Sequence, residues 1–402
     1  MPKTIVIPVT LDTKGEETQF VREEIEKRGH RTLVIDVGVM GTPRAKADIS
    51  REEVADAGGE SLESLRREAE AGADRTEATN VMIAGLEDIV RRLHREGNLD
   101  GIISLGGSTG TAIGTAAMRA LPIGVPKLMV VTWFNAQSVA AKDIAMLQTP
   151  ADIIGLNQVM RQTLASAAGA ISGMVEAEVP PRERLLVGIT ALGVTTPAVL
   201  NLMPLLEEKG LDPIVFHSKT VVLDELLAED RVGGIIDLTT FEVMIPLAFH
   251  LPEEMAAGRL GLAGEKELPQ VIVPGGLDMF VFPGTKESVS PEYHDRRISM
   301  HGPDTVLVRT TAEEVGKAAG MLAQRANASK GKTAFVIPAR GFSDVDREGH
   351  TFYDPEADAA FVRVVRETVR EGIEVVEVDA HINDSEFAAA VAGVYDGLSV
   401  RP

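Results

Sequence analysis

Short β-branched runs alternate with amphipathic stretches along most of this chain. Lys3–Thr10 is apolar and β-branched and predicts a first strand. The polar loop LDTKGEE follows. A helix is then predicted over Glu17–Arg28, with Phe20, Val21 and Ile25 on one face and Gly29 as its stop. Thr32–Val37 reads as the next strand. A second copy of this unit runs from Leu185 to Phe216: strand LLVGIT, loop ALGVTTP, a helix closed by Gly210, and strand PIVFH. A third copy opens with TAFVIP at 333–338. It passes through a long loop to a helix carrying Phe361, Val362, Val365 and Val369, and ends after Gly372 in IEVVEVD. Strand, crossover helix and strand in this order predict parallel sheets with right-handed crossovers.

The first two copies also continue alike. A helix over Val81–Arg95, with Leu86, Ile89, Val90 and Leu93 on one face, leads into GIISL at 101–105. A helix over Leu223–Glu229 leads into GGIIDL at 233–238. KLMVVT at 127–132 and PQVIVPG at 269–275 come next. Two α/β domains on one plan are expected, joined by EAEVPPRER at 176–184, where paired prolines interrupt the regular pattern. Residues 43–79 break the pattern, being charged and poor in large apolar groups. Ile49–Ala57 and Leu62–Ala71 read there as short surface helices, either capping the first domain's ligand side or forming a plain insertion.

Composition narrows the partners. The 402 residues are 44% hydrophobic and 25% charged, a globular balance. With 40 Lys+Arg against 60 Asp+Glu the net charge is −20, a field that repels phosphate backbones and anionic lipid. Nucleic acid and membrane surfaces are therefore excluded as expected partners, and a small anion needs a local cluster of donors. No cysteine is present, which removes disulfides, thiolate metal sites and cysteine nucleophiles. The N-terminal apolar run ends at Asp12, too short for a signal sequence, so a cytoplasmic location is expected.

In open parallel sheets ligands bind beyond the carboxyl ends of the strands. The candidate loops of the first domain are thus 11–17, 38–43, 106–111 and 133–139. SLGGSTGTAIG at 104–114 is the richest. Gly106, Gly107 and Gly110 let backbone N–H groups converge, and Ser108 or Thr109 can cap the helix that follows, whose N-terminus carries partial positive charge. No lysine stands where a Walker loop requires one. The Gly-Gly-x-x-Gly spacing, with no acid near Val130, is not a dinucleotide fingerprint either. Two readings stay open: an anion site, or glycines that only allow close helix–sheet packing. Lys14 offers the positive charge the loop lacks. Asp12 offers a Mg²⁺ ligand through water. Thr13, followed three residues later by Glu16, matches a capping box. Gly38 and Gly41 accommodate a base or ribose, or turn the chain.

The second domain offers Thr239 and Thr240 after IIDL, Asp278 in PGGLDMF, Arg340 in PARGFSD, and His381 in VDAHINDSEF. Arg340 is a candidate carboxylate or phosphate clamp. The plainer expectation makes Asp384 the cap of the last helix and His381 an ordinary loop residue. Asp354 and Pro355 are expected to open the preceding helix, as cap and first residue. No nucleophile elbow and no zinc-ligand spacing among the eight histidines is present.

As a group these segments resemble a known family. TLDTKGEE, IDVGVMGTPRAKADISREEVA, ISLGGSTGTAIGTAAMRALPIGVPKLMV, DIIGLNQV, LVGITALGVTTPAV, GGLDMF, FYDPEADAAF and VDAHIND occur in this order across nearly the whole chain. They are similar to a widespread, poorly characterised family that shares the ATP-binding N-terminal domain of the plant tomato mosaic virus resistance protein. The resemblance implies two Rossmann-like domains, each a mainly parallel sheet flanked by helices. It places a nucleotide-binding domain over 1–178 and a second domain over 184–402, in a homodimer or higher homo-oligomer. It implies ATP on Asp12, Thr13, Lys14, Gly106, Gly107, Ser108, Thr109, Gly110 and Thr111, and no settled reaction. Two loops depart from the family pattern: VTWFNAQSVAAKDI, and HSKTVVLDELL, which has no glycine. Two alternatives stand beside ATP binding. One is an enzyme acting on a small anionic metabolite between the domains, using Thr239, Thr240, Asp278, Arg340 and His381. The other is a ligand-gated scaffold for another protein.

Overall fold

A computed structural model describes residues 1–71, 75–133, 142–179, 184–218, 221–252 and 260–399. Residues 134–139 of the divergent loop after Trp133, positions 180–183 of the linker, and Lys219 and Thr220 lie outside the described residues. The chain divides into two compact units, Met1–Pro181 and Arg182–Pro402.

Unit one runs β1 (Thr4–Val9), α1 (Leu11–Glu26), β2 (Arg31–Asp36), α2 (Arg51–Ala57), α3 (Leu62–Glu70), α4 (Arg75–Arg95), β3 (Gly101–Gly106), α5 (Ser108–Arg119), β4 (Lys127–Val131), β5 (Ala145–Gln148) and α6 (Gln158–Glu176). Its five strands are all parallel, in the order β2-β1-β3-β4-β5. Side chains alternate across the sheet. Ile5, Ile7, Val9, Ile103 and Leu105 join one core with Val21, Ile25 and Leu164 of α1 and α6. Val6 and Ile102 join another with Val54, Met82, Leu86 and Ile113 of α2, α4 and α5. Both faces are covered, which is why β3 and β4 are buried along their whole length and read as unbroken apolar runs.

Three expectations change here. LDTKGEE is not a loop: α1 begins at Leu11 with Thr10 as N-cap, and only Lys14 departs from helical angles (φ −125°, ψ 19°). The Thr13–Glu16 capping box does not form, because the Thr13 hydroxyl bonds Thr10 Oγ1 at 3.0 Å. The segment after β2 is not made of surface helices alone. α2 is closed by a capping box between Ser50 and Glu53 and buries Arg51, Val54 and Ala55. It crosses α4 so closely that a Cβ on Gly85 would lie 1.9 Å from the Val54 carbonyl oxygen. β5, a half-buried edge strand of four residues, follows the described gap and was not expected.

Unit two runs β6 (Leu185–Ala191), α7 (Thr196–Glu208), β7 (Leu211–His217), α8 (Val221–Ala228), β8 (Val232–Asp237), α9 (Met244–Ala248), α10 (Gly261–Glu265), β9 (Gln270–Ile272), β10 (Met279–Pro283), β11 (Ile298–Met300), β12 (Thr305–Arg309), α11 (Ala312–Ala328), β13 (Thr333–Pro338), α12 (Pro355–Thr368), β14 (Glu374–Val378) and α13 (Ser385–Leu398). Six strands form a parallel sheet in the order β14-β13-β9-β8-β6-β7. Counted from its own first strand, this is the order of unit one with one strand added. The molecule is therefore α/β, with two Rossmann-like parallel sheets. An antiparallel sheet, β10-β12-β11, is inserted between β9 and α11. It was not expected, because its strands are short and follow turns rather than helices. Asp354 caps α12 as expected, accepting from the Ala357 amide, with Pro355 at the first helical position.

Candidate functional site

In unit one the strand order reverses between β1 and β3. A cleft of about 400 Å³ opens there, beyond the ends of β1, β2 and β3. This is the place where open α/β sheets hold ligands. Asp12, Thr13 and Lys14 line it from α1. Gly38, Val39 and Met40 line it from the loop after β2, and Gly107, Ser108, Thr109, Gly110 and Ile113 from α5. Ala69 of α3 and Ala78 and Met82 of α4 close another side, so the charged segment after β2 does reach the cleft.

The glycines of the β3–α5 turn divide into two kinds. A Cβ on Gly106 would lie 2.6 Å from the backbone of Gly110, and one on Gly114 would lie 2.6 Å from Ser104 Oγ. Those two are required for packing of α5 on the sheet. Among the described residues, a Cβ on Gly107 would meet nothing nearer than Thr132 Oγ1 at 4.0 Å. Gly107 is the N-cap of α5, in extended conformation and with no side-chain cap. Thr111 N–H bonds the Gly107 carbonyl at 2.8 Å. The N–H groups of Ser108, Thr109 and Gly110 have no acceptor among the described residues. Three amides and the positive end of a twelve-residue helix thus open onto the cleft. Thr111 does not take part: it is buried, and its hydroxyl is 3.5 Å from the Gly106 carbonyl.

The loop after β2 is shaped by a buried ion pair. Arg51 Nε bonds Asp36 Oδ2 at 2.7 Å, both side chains being 2% exposed. Asp36 Oδ1 accepts from the Leu11 and Gly38 amides. Arg51 Nη1 donates to the carbonyls of Met40 and Gly41. Two polar atoms here, Arg51 Nη2 and Asp12 Oδ1, have no hydrogen-bond partner among the described residues. Both face Gly38, where a Cβ would lie 2.8 Å from the first and 3.2 Å from the second. Lys14 donates to the Ile153 carbonyl at 2.5 Å, and Glu17 accepts from the Gly155 amide. TLDTKGEE and DIIGLNQV, far apart in sequence, therefore lock together. Lys14 is among the residues lining the cleft, and its ammonium is engaged to that loop. Asp12 and Asp36 balance Lys14 and Arg51 in charge, so affinity for an anion must come chiefly from the amides.

The candidates of unit two are engaged internally. Thr239 Oγ1 is 2.8 Å from Thr195 Oγ1, and Thr240 Oγ1 donates to the Val273 carbonyl. Arg340 forms an exposed bidentate pair with Asp379, both contacts at 2.8 Å. His381 is not an ordinary loop residue but a buried hub. Its Nε2 donates to the Ser343 carbonyl, and its Nδ1 accepts from Arg347 Nη2. Burial holds its pKa below the usual imidazole range, against the pull of the Ser343 carbonyl, so it sits there neutral. Asp384 is the N-cap of α13 but makes no cap hydrogen bond; its carboxylate binds Arg347 and the His381 amide.

Asp278 belongs to a cluster that sequence reasoning missed. Asp278, Asp346 and Asp358 surround Arg309, which bonds Asp358 Oδ1 at 2.7 Å and lies 3.8 Å from Asp346 Oδ1. Ser343 donates to Asp278 Oδ2 at 2.6 Å. Burial, reinforced by Asp346, pushes the Asp278 carboxyl up to about 7 and that of Asp358 to about 9, against the pull of Arg309. Nothing in the separate segments GGLDMF, SDVD and DPEAD signals that they meet. Only the paired Asp-Pro helix start hinted that this region is ordered.

Known proteins resemble the chain along its whole length. Residues 3–180 match the N-terminal domain of the uncharacterised protein family UPF0261, and residues 184–398 match its C-terminal domain. A UPF0261 protein of Clostridium tetani is 40% identical over 403 residues, covering 98% of both chains. One of Rhizobium meliloti is 35% identical, covering 99% of both. The ToMV resistance protein Tm-1(GCR237) of Solanum lycopersicum is 33% identical over 342 residues, which are 81% of this chain and 45% of that protein. With both domains matched in order and relatives above 30% identity across the chain, the protein belongs to the UPF0261 family.

Proposed function

We propose that unit one binds a nucleoside triphosphate, ATP, with its phosphates on the first turn of α5. The observation that carries this is the set of three amides, Ser108 to Gly110, left without acceptors at the edge of a 400 Å³ cleft at the sheet's switch point. The likeness to the tomato resistance protein, whose family resemblance implies ATP, supports the choice of anion. Asp12 fits a water-mediated Mg²⁺, because its Oδ1 is buried without a hydrogen-bond partner and its carboxylate faces the cleft. The ion would offset the negative charge that the balanced side chains leave uncompensated. Base and ribose fall to the side lined by Val39, Met40, Ala78 and Met82. The reading is one of binding, and no reaction is assigned.

Gly107→Asp tests the reading. An aspartate at an N-cap accepts from the same amides and stabilises the helix by about 0.5–1 kcal/mol. The variant should therefore melt no lower than the parent while losing at least tenfold in ATP·Mg²⁺ affinity by calorimetry. A variant that binds ATP as the parent does, or a parent that gives no heat at millimolar ATP, refutes it.

A further inference from the structure

The second sheet has its own switch point, between β6 and β8, and a second cleft lies there, wholly within unit two. It holds about 420 Å³, the size of small-molecule sites. Its chemistry is opposite to that of unit one. After β3 come the three amides of Ser108 to Gly110, without acceptors among the described residues, and a twelve-residue helix. After β8 comes the single turn Phe241–Val243 and then a helix of five residues, Met244–Ala248. Thr239 and Thr240, the polar residues at that strand end, turn their hydroxyls inward onto Thr195 and Val273. Among the described residues these strand ends hold no cradle for a phosphate. Instead Phe241, Ile245, Phe249, Met279 and Leu307 form the walls, and no charged side chain lines the cleft among the described residues. Phe249 is held at the rim by an edge-on contact with Phe282, ring centroids 5.3 Å apart. Two imidazoles, His217 and His301, supply the polar end, and among the described residues neither has a hydrogen-bond partner. Among the described residues, a Cβ on Gly193 would meet only His301 Nε2, at 3.9 Å, so that glycine leaves the floor open.

We propose that this cleft is a second ligand site, one that takes a flat apolar acid: an aromatic body between the phenylalanines, with its carboxylate between His217 and His301. Aromatic walls favour a planar ligand, and among the described residues the two imidazoles, with the Thr305 hydroxyl, are the side-chain donors lining the cleft. Burying a carboxylate requires such donors, which explains why the two histidines face an otherwise apolar space. The site is independent of ATP binding in unit one.

The probe is 2-naphthoate, with neutral 2-naphthamide as its control, titrated by calorimetry on the full chain. The parent should bind naphthoate saturably at one site. Phe249→Glu, at a position 44% exposed and so tolerant of change, puts a carboxylate at the rim and should cost at least tenfold. Gly193→Leu should abolish binding, and a cooperative melt like the parent's shows that it folds. H217A/H301A should weaken naphthoate at least fivefold more than naphthamide. The proposal is overturned if naphthoate does not bind saturably, if folded Gly193→Leu or Phe249→Glu binds as the parent does, or if the double variant weakens both probes equally.

Discussion

Asp278→Asn should remove a large part of the acid-to-neutral loss of stability in unit two. Asp278, Asp346 and Asp358 are at most 6% exposed, and Arg309 is the cation among them. Ionising all three would leave two buried negative charges without a partner, so protons are retained. The unfolded carboxyl of Asp278 ionises near pH 4, whereas the folded one holds its proton up to about 7. Between those values the folded state binds more protons, so stability is full below the window and falls as pH rises through it. One retained proton corresponds to about 1.4 kcal/mol per pH unit. From pH 5 to pH 7, with the folded group half-ionised at the upper end, that is about 2.3 kcal/mol, or roughly 4–9 °C in Tm for a domain of this size. The asparagine keeps an acceptor for Ser343 but cannot ionise. Scanning calorimetry of parent and variant at pH 5, 6, 7 and 8 isolates the effect, because every other titrating group contributes to both. Parallel curves for the two proteins would refute the argument, and so would a parent whose unit two is stabilised between pH 5 and pH 7.

Gly106→Ala should destabilise unit one by about 1–3 kcal/mol, since the new methyl meets backbone at 2.6 Å; a urea midpoint unchanged from the parent's would contradict the packing role. Arg51→Met should cost about 3–5 kcal/mol by leaving Asp36 buried without its cation, and should open the loop after β2 to protease. The expected readouts are a lower melt and cleavage near Met40 or Gly41; a variant as stable and as resistant as the parent would count against the role given to that pair. Asp12→Asn should leave stability within about 1 kcal/mol but abolish the tightening of ATP binding by Mg²⁺. If Mg²⁺ strengthens binding equally in both proteins, Asp12 is not the metal's anchor.

Most of the parallel framework could be read from sequence because buried parallel strands are dense in β-branched residues and their crossovers carry helical periodicity. GIISL, KLMVV and TAFVIP are of this kind. What escaped lacked that contrast. β5 is AMLQ, a half-buried edge with no β-branched residue. The antiparallel sheet uses Ile298–Met300, too short for any period to show. α1 starts six residues early because Leu11, not the polar residues after it, is what the core takes up. The cap of α2 was in reach: Ser50 with Glu53 is a capping box in plain sequence, and it marks the start of the helix that delivers Arg51.

The site was legible where backbone chemistry makes it and illegible where long-range partners do. Glycines at a strand end announce free amides; those of Ser108 to Gly110 lack an acceptor among the described residues, while Gly106 and Gly114 serve packing. A lone lysine announces only a charge. That Lys14 is drawn to the Ile153 carbonyl depends on a loop 139 residues away. The same limit explains the second cleft. The loss of glycine after His217 looks like the loss of a site, yet sheets with this strand order have a crevice at the switch point whatever lines it. Replacing amides with Phe241, Ile245 and Phe249 changes what the crevice can recognise, not whether it exists. A chain that repeats one strand order therefore carries two crevices of different chemistry, and ligands of one should not compete with ligands of the other. Titrating naphthoate into ATP-saturated protein checks this: unchanged naphthoate affinity and stoichiometry are expected, and displacement of ATP would mean that the two ligands share a site.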